Sequence, residues 1–470
     1  MSYHSSHIRP EEEMFVDKGI QNARLRKRNK MLVVTLAIVL SMFGFTVVYF
    51  NKTNKPSFNN LNAQNYSNDD DLINYLLKSK AVKKFMGSKI EELILESEKN
   101  AKNGVIVKNV NDEHNNYNEK TPLFKKNNDN KKFSTNLFDM QFIMSNLEAV
   151  NIFYNFMKKY NKQYNSAEEM QERFYIFSEK LKKIEKHNKE NKYMYKKAIN
   201  SFSDLHPEEF KMRFLNSKIK DDSAIDLRYL VPYSAALGKY KSPTDKVNYR
   251  SFDWRDKDVI IDVKDQKKCA SCWAFSVAGV VSAQYAIRQN KKISLSEQQL
   301  VDCAPNNFGC EGGIIPYALE DLIDMGGLCE DKYYPYVANI PELCEINKCK
   351  EKYSIVEYAL VPYDNYKEAI QYLGPITIAV GVSEDFEDYE SGIFDGECEG
   401  VANHAVILVG YGVESVFDEV LKRNVDQYYY IIRNSWGSAW GEDGYIRLKT
   451  NESGTLRNCV LLQAFAPVIE

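Results

Sequence analysis

The sequence predicts a mixed helix-and-strand domain at the C-terminal end of a chain built in several parts. Three observations predict it. All nine cysteines fall between Cys269 and Cys459, and none precedes them. "SCWAFSVAGVVSAQYAIRQN" reads as a helix beginning at about Ser271, with Ala274, Val277 and Val281 on its buried face. "VANHAVILVGYG" and "YYYII" read as buried strands. At 470 residues the chain exceeds one ordinary domain, and its net charge of −3 carries no strong field for nucleic acid. Its 31 Tyr and 24 Phe imply a substantial packed core.

From the N-terminus, residues 31–50 form an uncharged run of bilayer-spanning length, preceded by the basic "RLRKRNK". The basic excess places residues 1–30 in the cytosol and everything after 50 in a lumen. This is the pattern of a single-pass type II signal anchor. A cleaved signal peptide fits less well, because the polar lead is long and no small-x-small exit follows. Residues 51–140 are rich in Asn, Lys, Asp and Ser and bury too little to fold, so a disordered spacer is expected. An island at 72–97 has helical apolar spacing but carries no chemistry.

From residue 147, "LEAVNIFYNFMKKYNKQY" and "EEMQERFYIFSEKLKKIEKHNKEN" predict two amphipathic helices. Glu169, Arg173, Phe177, Ile184 and Asn188 fall on one stripe of the second. "AINSFSDL" follows, with Asn200, Phe202 and Asp204.

An odd cysteine count within one domain suggests four disulfides and one free thiol, and hence an oxidising compartment. In "DQKKCASCWAFS" Cys269 and Cys272 form a Cys-x-x-Cys pair. A zinc site would need a second such pair or spaced histidines, yet only His404 lies beyond His206. A redox dithiol would leave seven cysteines unexplained. A nucleophilic thiol needs a lowered pKa, from a histidine partner and often a helix N-terminus. Cys272 stands in the first turn of the predicted helix, and His404 opens a predicted strand. Asn434, in "IIRNSWGSAWGEDGYIRL", can accept from the His404 ring and fix its orientation, with Trp436 as a cover. No metal or cofactor is expected.

These motifs together resemble the papain-like (C1) cysteine peptidases. "DWR" at 253–255, Gln266, "SEQQLVDC" at 296–303, "GCEGG" at 309–313, "NHAV" at 403–406 and "NSWGSAWGEDGYIR" at 434–447 stand in the family's order. The helical stripe resembles the family's inhibitory pro-segment, with Lys180 in place of an Asn, and "AINSFSDL" resembles its second motif, with Ala198 in place of a Gly. The membrane anchor, the Asn-rich spacer, "LGPITIAV", "GIFDGEC" and "AFAPVIE" resemble the falcipain-type haemoglobinases of malaria parasites.

The resemblance implies an α+β, two-lobed papain-like fold: a helical lobe and a β-barrel-like lobe over residues 226–470, with an inhibitory pro-domain over 141–225. It implies a membrane-anchored zymogen of a cysteine endopeptidase, monomeric once mature, working in an acidic food vacuole or lysosome-like lumen. Cys272 would be the nucleophile, His404 the base and acid, Asn434 the orienting amide, and Gln266 with the Cys272 N–H the oxyanion hole. Gly312, Gly313, Ile315, Ala402, Ala405, Trp436 and Gln463 would contact substrate. The implied disulfides are Cys269–Cys310, Cys303–Cys344, Cys329–Cys349 and Cys398–Cys459. The insert 413–427 would capture haemoglobin. Ala270 departs from the usual Gly, and Gln463 stands where related enzymes often carry an acid, so Leu rather than Arg is expected in the main specificity pocket. The competing readings are a catalytically inactive binding homologue, which would lack nucleophile or base, and another Cys-His enzyme such as a transglutaminase, which would not need the pro-segment motifs. Maturation is expected within 221–245, a stretch without clear periodicity, with ionised Asp204 helping to hold the pro-segment.

Overall fold

The computed structural model describes residues 147–190, 192–216, 227–339, 343–418, 421–456, 459 and 461–470. The expected anchor at 31–50, the tail before it and the spacer at 51–140 lie outside the described residues. Among the described residues no helix is long and apolar enough to cross a membrane. The chain divides into two compact units at Ser178.

The first unit holds α1 (Leu147–Lys159) and the opening of α2 (Ala167–Glu190). Ser166 starts α2 by accepting the Glu169 N–H at 3.1 Å. Phe153, fully buried, packs on Phe174 and Phe177 at 5.4 and 5.1 Å between ring centroids, which closes the hairpin.

The second unit begins within α2. After it come β1 (Tyr195–Lys197), α3 (Pro207–Phe214), β2 (Leu230–Val231), α4 (Tyr233–Tyr240) and β3 (Phe252–Asp253). Three helices follow: α5 (Cys272–Gln289), α6 (Glu297–Cys303) and α7 (Ile315–Asp324). Then come β4 (Glu357–Leu360), α8 (Tyr366–Tyr372), β5 (Ile376–Val380), the short α9 (Glu384–Glu387) and β6 (Tyr389–Phe394). The chain ends with β7 (His404–Asp418), β8 (Arg423–Arg433), β9 (Tyr445–Thr450) and β10 (Leu461–Val468).

The strands form a 10-stranded sheet in the order β1-β6-β9-β8-β7-β5-β10-β4-β2, with β3 against β7. Helix α5 is apolar on nearly every face and is buried along most of its length, so it serves as a core helix rather than a surface one. Gly279 lets it lie close to β7: a methyl group there would stand 2.4 Å from Ile407 Cδ1. Four disulfides tie the unit, Cys269–Cys310, Cys303–Cys344, Cys329–Cys349 and Cys398–Cys459.

Part of the stretch expected to be loose is folded. Leu230 and Val231 pair in parallel with Tyr358 and Ala359, and α4 buries Ala236 in the core. The aromatic and aliphatic residues of "LRYLVPYSAALGKY" find partners that local periodicity does not announce. The insert 413–427 forms a hairpin, register Val413↔Tyr428 to Asp418↔Arg423, that carries exposed Phe417 and Leu421.

Candidate active site

Cys272 opens α5 and His404 opens β7, so both site residues stand at the ends of rigid elements. The Ala405 N–H lies 3.4 Å from Cys272 Sγ, which sets the sulfur beside the start of β7. Asn434 directly follows β8, which pairs with β7 along its length.

The hydrogen bonds fix the histidine tautomer. Asn434 Oδ1 accepts the Ser435 N–H at 2.7 Å, so this atom is the amide oxygen. The same oxygen lies 2.8 Å from His404 Nε2, which therefore carries a proton and donates it. In the neutral ring Nδ1 is then left with its lone pair, and it is buried without a hydrogen-bond partner among the described residues. Trp436 stacks over the His404 ring at 4.8 Å and 29°.

Gln266 is equally constrained. Its Oε1 accepts from Ser435 Oγ at 2.6 Å, which turns Nε2 the other way, toward the carbonyls of Cys269 (2.9 Å) and Phe214 (3.0 Å).

The second of those carbonyls belongs to α3. The segment running out of α3 lies across the site. The Asn216 N–H donates to the Asn403 carbonyl at 2.6 Å. The Asn216 side chain pairs with both backbone groups of Gly313, donating to its carbonyl at 2.5 Å and accepting from its N–H at 3.1 Å. A side-chain amide thus makes the bonds that an extended peptide strand would make. Phe202 and Phe210 stand edge-on to Trp436 at 5.3 and 5.5 Å. A second anchorage lies in α2, where buried Lys180 pairs with Glu387 (2.5 Å) and Asp388 (3.1 Å).

Burial under this segment changes the titration of the site. Cys272 is pushed up to about 12, because loss of water outweighs the N–H groups of Ala405, Trp273 and Cys272 at the sulfur. Burial likewise drives His404 down to about 4, against the bond to Asn434. Both groups are neutral between these values.

Ile315, Ala402 and Ala405 meet in one buried apolar cluster. Gly312 takes a φ of 118° before α7, and a methyl at Gly313 would stand 2.5 Å from the Trp273 ring. Gln463 sits at the irregular point of β10 with a φ of 50°, next to Leu462, whose partner Ala379 in turn pairs with Ala405. Ala270 is buried, and its N–H donates to the Cys310 carbonyl at 3.0 Å. Among the described residues no group of His, Cys, Asp or Glu could hold a metal ion.

Sequence reasoning passed over Ser435, Asn216, Asn403 and Tyr336, whose hydroxyl donates to the Gln266 backbone carbonyl at 2.8 Å. Ser435 and Asn403 sit inside quoted motifs and were legible as neighbours. Asn216 and Tyr336 gave no local signal.

Comparison with known proteins gives the family. Residues 249–466 match the model of the papain family cysteine proteases, and residues 153–210 that of the cathepsin propeptide inhibitor domain. Falcipain-3 of Plasmodium falciparum (isolate 3D7) is 43% identical, with all of both chains covered, and falcipain-2b is 44% identical at the same coverage. Among solved structures, a recombinant stem bromelain precursor superimposes with a TM-score of 0.57 at 31% identity, covering 69% of this chain and 99% of its own. Procathepsin L2 from the larval midgut of Tenebrio molitor gives 0.59 at 28%, covering 68% and 100%. The chain belongs to the papain family of cysteine proteases, of the falcipain type, and is an endopeptidase zymogen that carries its own inhibitory propeptide.

Proposed function

We propose that Cys272, His404 and Asn434 perform thiolate hydrolysis of peptide bonds, and that the segment from α2 to Asn216 keeps them latent. The observation that carries the reading is the fixed tautomer. Asn434 Oδ1 holds His404 Nε2–H, so the only basic nitrogen left is Nδ1, at the start of the strand whose next N–H touches Cys272 Sγ.

Once uncovered, Nδ1 takes the thiol proton and the thiolate attacks the scissile carbonyl carbon. The Gln266 amide and the Cys272 N–H hold the negative oxygen that develops. The tetrahedral species collapses, the C–N bond breaks, and the leaving amine takes the proton from the His404 imidazolium. A water then attacks the thioester with His404 as base, releasing the acid and the free thiol. In the zymogen the Phe214 carbonyl occupies the Gln266 donor, and Asn216 occupies the Gly313 backbone.

The substrates are proteins. Haemoglobin is the favoured one, through the resemblance to falcipain-type haemoglobinases and through the 413–427 hairpin, whose exposed Phe417 and Leu421 offer apolar contact. The precursor is membrane-anchored through 31–50 and the mature enzyme works in an acidic vacuole. A neutral Gln463 cannot offset the desolvation of a substrate Arg as a carboxylate would, so Leu is preferred at the residue preceding the cleaved one.

The test is Cys272→Ala. Peptide hydrolysis and labelling by an epoxide cysteine-protease inhibitor should both vanish while the fold is kept. Hydrolysis persisting in Cys272→Ala would overturn the reading.

A further inference from the structure

The N-cap of α5 is a serine that does not cap. A serine at this position ordinarily accepts the N–H of the second or third helical residue through its Oγ. Ser271 makes no such bond. Its Oγ lies instead 2.6 Å from the hydroxyl of Tyr336, a residue 65 positions further on.

The proton order in this contact is determined. The Tyr336 hydroxyl lies 2.8 Å from the Gln266 backbone carbonyl, which can only accept. A phenol has one proton, so Tyr336 donates it to Gln266 and must accept from Ser271. The chain runs Ser271 Oγ–H to Tyr336 O–H to Gln266 O=C. The Tyr336 ring is held edge-on against Phe275 of α5 at 4.8 Å and 84°.

Two consequences follow. First, the helix end stays open. The Ala274 N–H is taken by the Ser271 carbonyl at 2.9 Å, and the N–H groups of Trp273 and Cys272, at the head of the helix, help to lower the Cys272 thiol against burial. A capping Ser271 Oγ would compete for the Trp273 N–H. Second, the two donors proposed for the oxyanion lie on different segments, the Gln266 loop and the first turn of α5. Tyr336 is bonded to the backbone of one and to the N-cap of the other, so it fixes their relative position.

We propose that Tyr336 is a positioning residue for peptide hydrolysis, acting through Ser271 and Gln266 to keep the first N–H groups of α5 and the Gln266 amide aimed at the reacting sulfur and carbonyl oxygen. This rests on the catalytic reading given above. The effect should be smaller than loss of an oxyanion donor itself, which costs roughly a hundredfold to a thousandfold.

The test uses enzyme matured from the full chain. Tyr336→Phe keeps the ring on Phe275 and removes only the hydroxyl. The expected result is a kcat lowered about tenfold to thirtyfold with KM nearly unchanged, the order of one or two lost neutral hydrogen bonds. The acid limb of kcat/KM should move to higher pH, because Ser271 is freed to cap the helix and draws the Trp273 N–H from the thiolate. Adding Ser271→Ala to Tyr336→Phe removes that competing cap and should return the acid limb toward the parent value. A merely structural tyrosine would lower the melting temperature and leave kcat and the limb in place, and that result would overturn the proposal. Should Tyr336→Phe fail to mature, Ser271→Ala alone decides. It should lower kcat severalfold at constant KM, and an unchanged kcat would overturn the proposal. Cys272→Ala, run alongside, separates the two levels: activity surviving there sinks the catalytic reading itself, whatever Tyr336→Phe does.

Discussion

Two buried polar clusters in the second unit invite comparison. One holds Cys272, His404 and Asn434; the other holds Lys180, Glu387 and Asp388. Both have lost their water to the same inhibitory segment, yet they respond oppositely. Among the described residues Cys272 and His404 have no charged partner, so burial drives both to their neutral forms. Lys180 has two carboxylates, which hold it protonated well above its ordinary value despite burial. The carboxylates, sharing one cation, are themselves raised: burial first, then the charges of Asp388 and Glu384, lift Glu387 to about 7, and burial first, then the charge of Glu384, raises Asp388, against the pull of Lys180 on both. On the proposed reading, latency has two physical parts. The segment fills the cleft, and it also removes the solvent that a thiolate–imidazolium pair needs.

The two clusters also differ in how acid acts on them. Relative to the unfolded chain, burial depresses His404 from 6.5 to about 4, so the covered fold binds fewer protons in this range. Its contribution to the stability of the covered fold is full above about pH 6.5 and is lost as pH falls through about 4. Glu387 is raised from 4.5 to about 7, so the covered form binds more protons. Its contribution is full below about 4.5 and is lost as pH rises through about 7. Glu387 faces Lys180, Asp388 and Glu384, and these set its share. Acid thus lowers the stability of the covered fold through His404 and raises it through the ion cluster.

The largest break in this comparison should come from the cover itself. Alkylation of Cys272 by iodoacetamide should be slower by about a thousandfold or more in the full chain than in matured enzyme near pH 6, since a thiol held near 12 leaves almost no thiolate. Next is Phe202→Ala, which empties a buried ring position against Trp436. It should cost about 3–5 kcal/mol, read as a lower melting temperature of the Cys272→Ala zymogen and as earlier maturation of the active one. Lys180→Met leaves Glu387 and Asp388 buried without their cation. Removing one partner of a buried ion pair costs about 3–5 kcal/mol, but protonation of the raised Glu387 softens this, so the effect on the same melting temperature should be somewhat smaller. The smallest change should come from Glu387→Gln. With its opposing contribution gone, maturation should depend more steeply on acid between about pH 7 and 4.5, measured as maturation rate against pH. An unchanged slope would remove Glu387 from the balance.

Much of the candidate site could be read in the sequence because its residues sit at element boundaries. Cys272 follows a serine at the head of an apolar helix, His404 opens an apolar strand, and Asn434 closes one. The bonds that hold these residues could not be read. Tyr336 reaches Ser271 and Gln266 across about seventy residues, and Asn216 reaches Gly313 across about a hundred, so no local periodicity marks them. Lys180 was visible as a departure from the pro-segment pattern, but its two carboxylates come from the C-terminal end of α9, more than two hundred residues away. The 221–245 stretch misled for a related reason: Leu230 and Val231 form a two-residue strand, too short to show alternation, and only the edge of β4 gives it a partner.

The central claim is that the covered site is uncharged and that uncovering it forms the ion pair. Ultraviolet thiolate absorbance of the full-length protein, followed against pH before and after removal of the segment, tests this most directly, with Cys272→Ala as the blank. Below about pH 9 the covered protein should show no absorbance from Cys272, whereas the matured enzyme should show it near pH 6. A thiolate signal at neutral pH with the segment still in place would contradict the account.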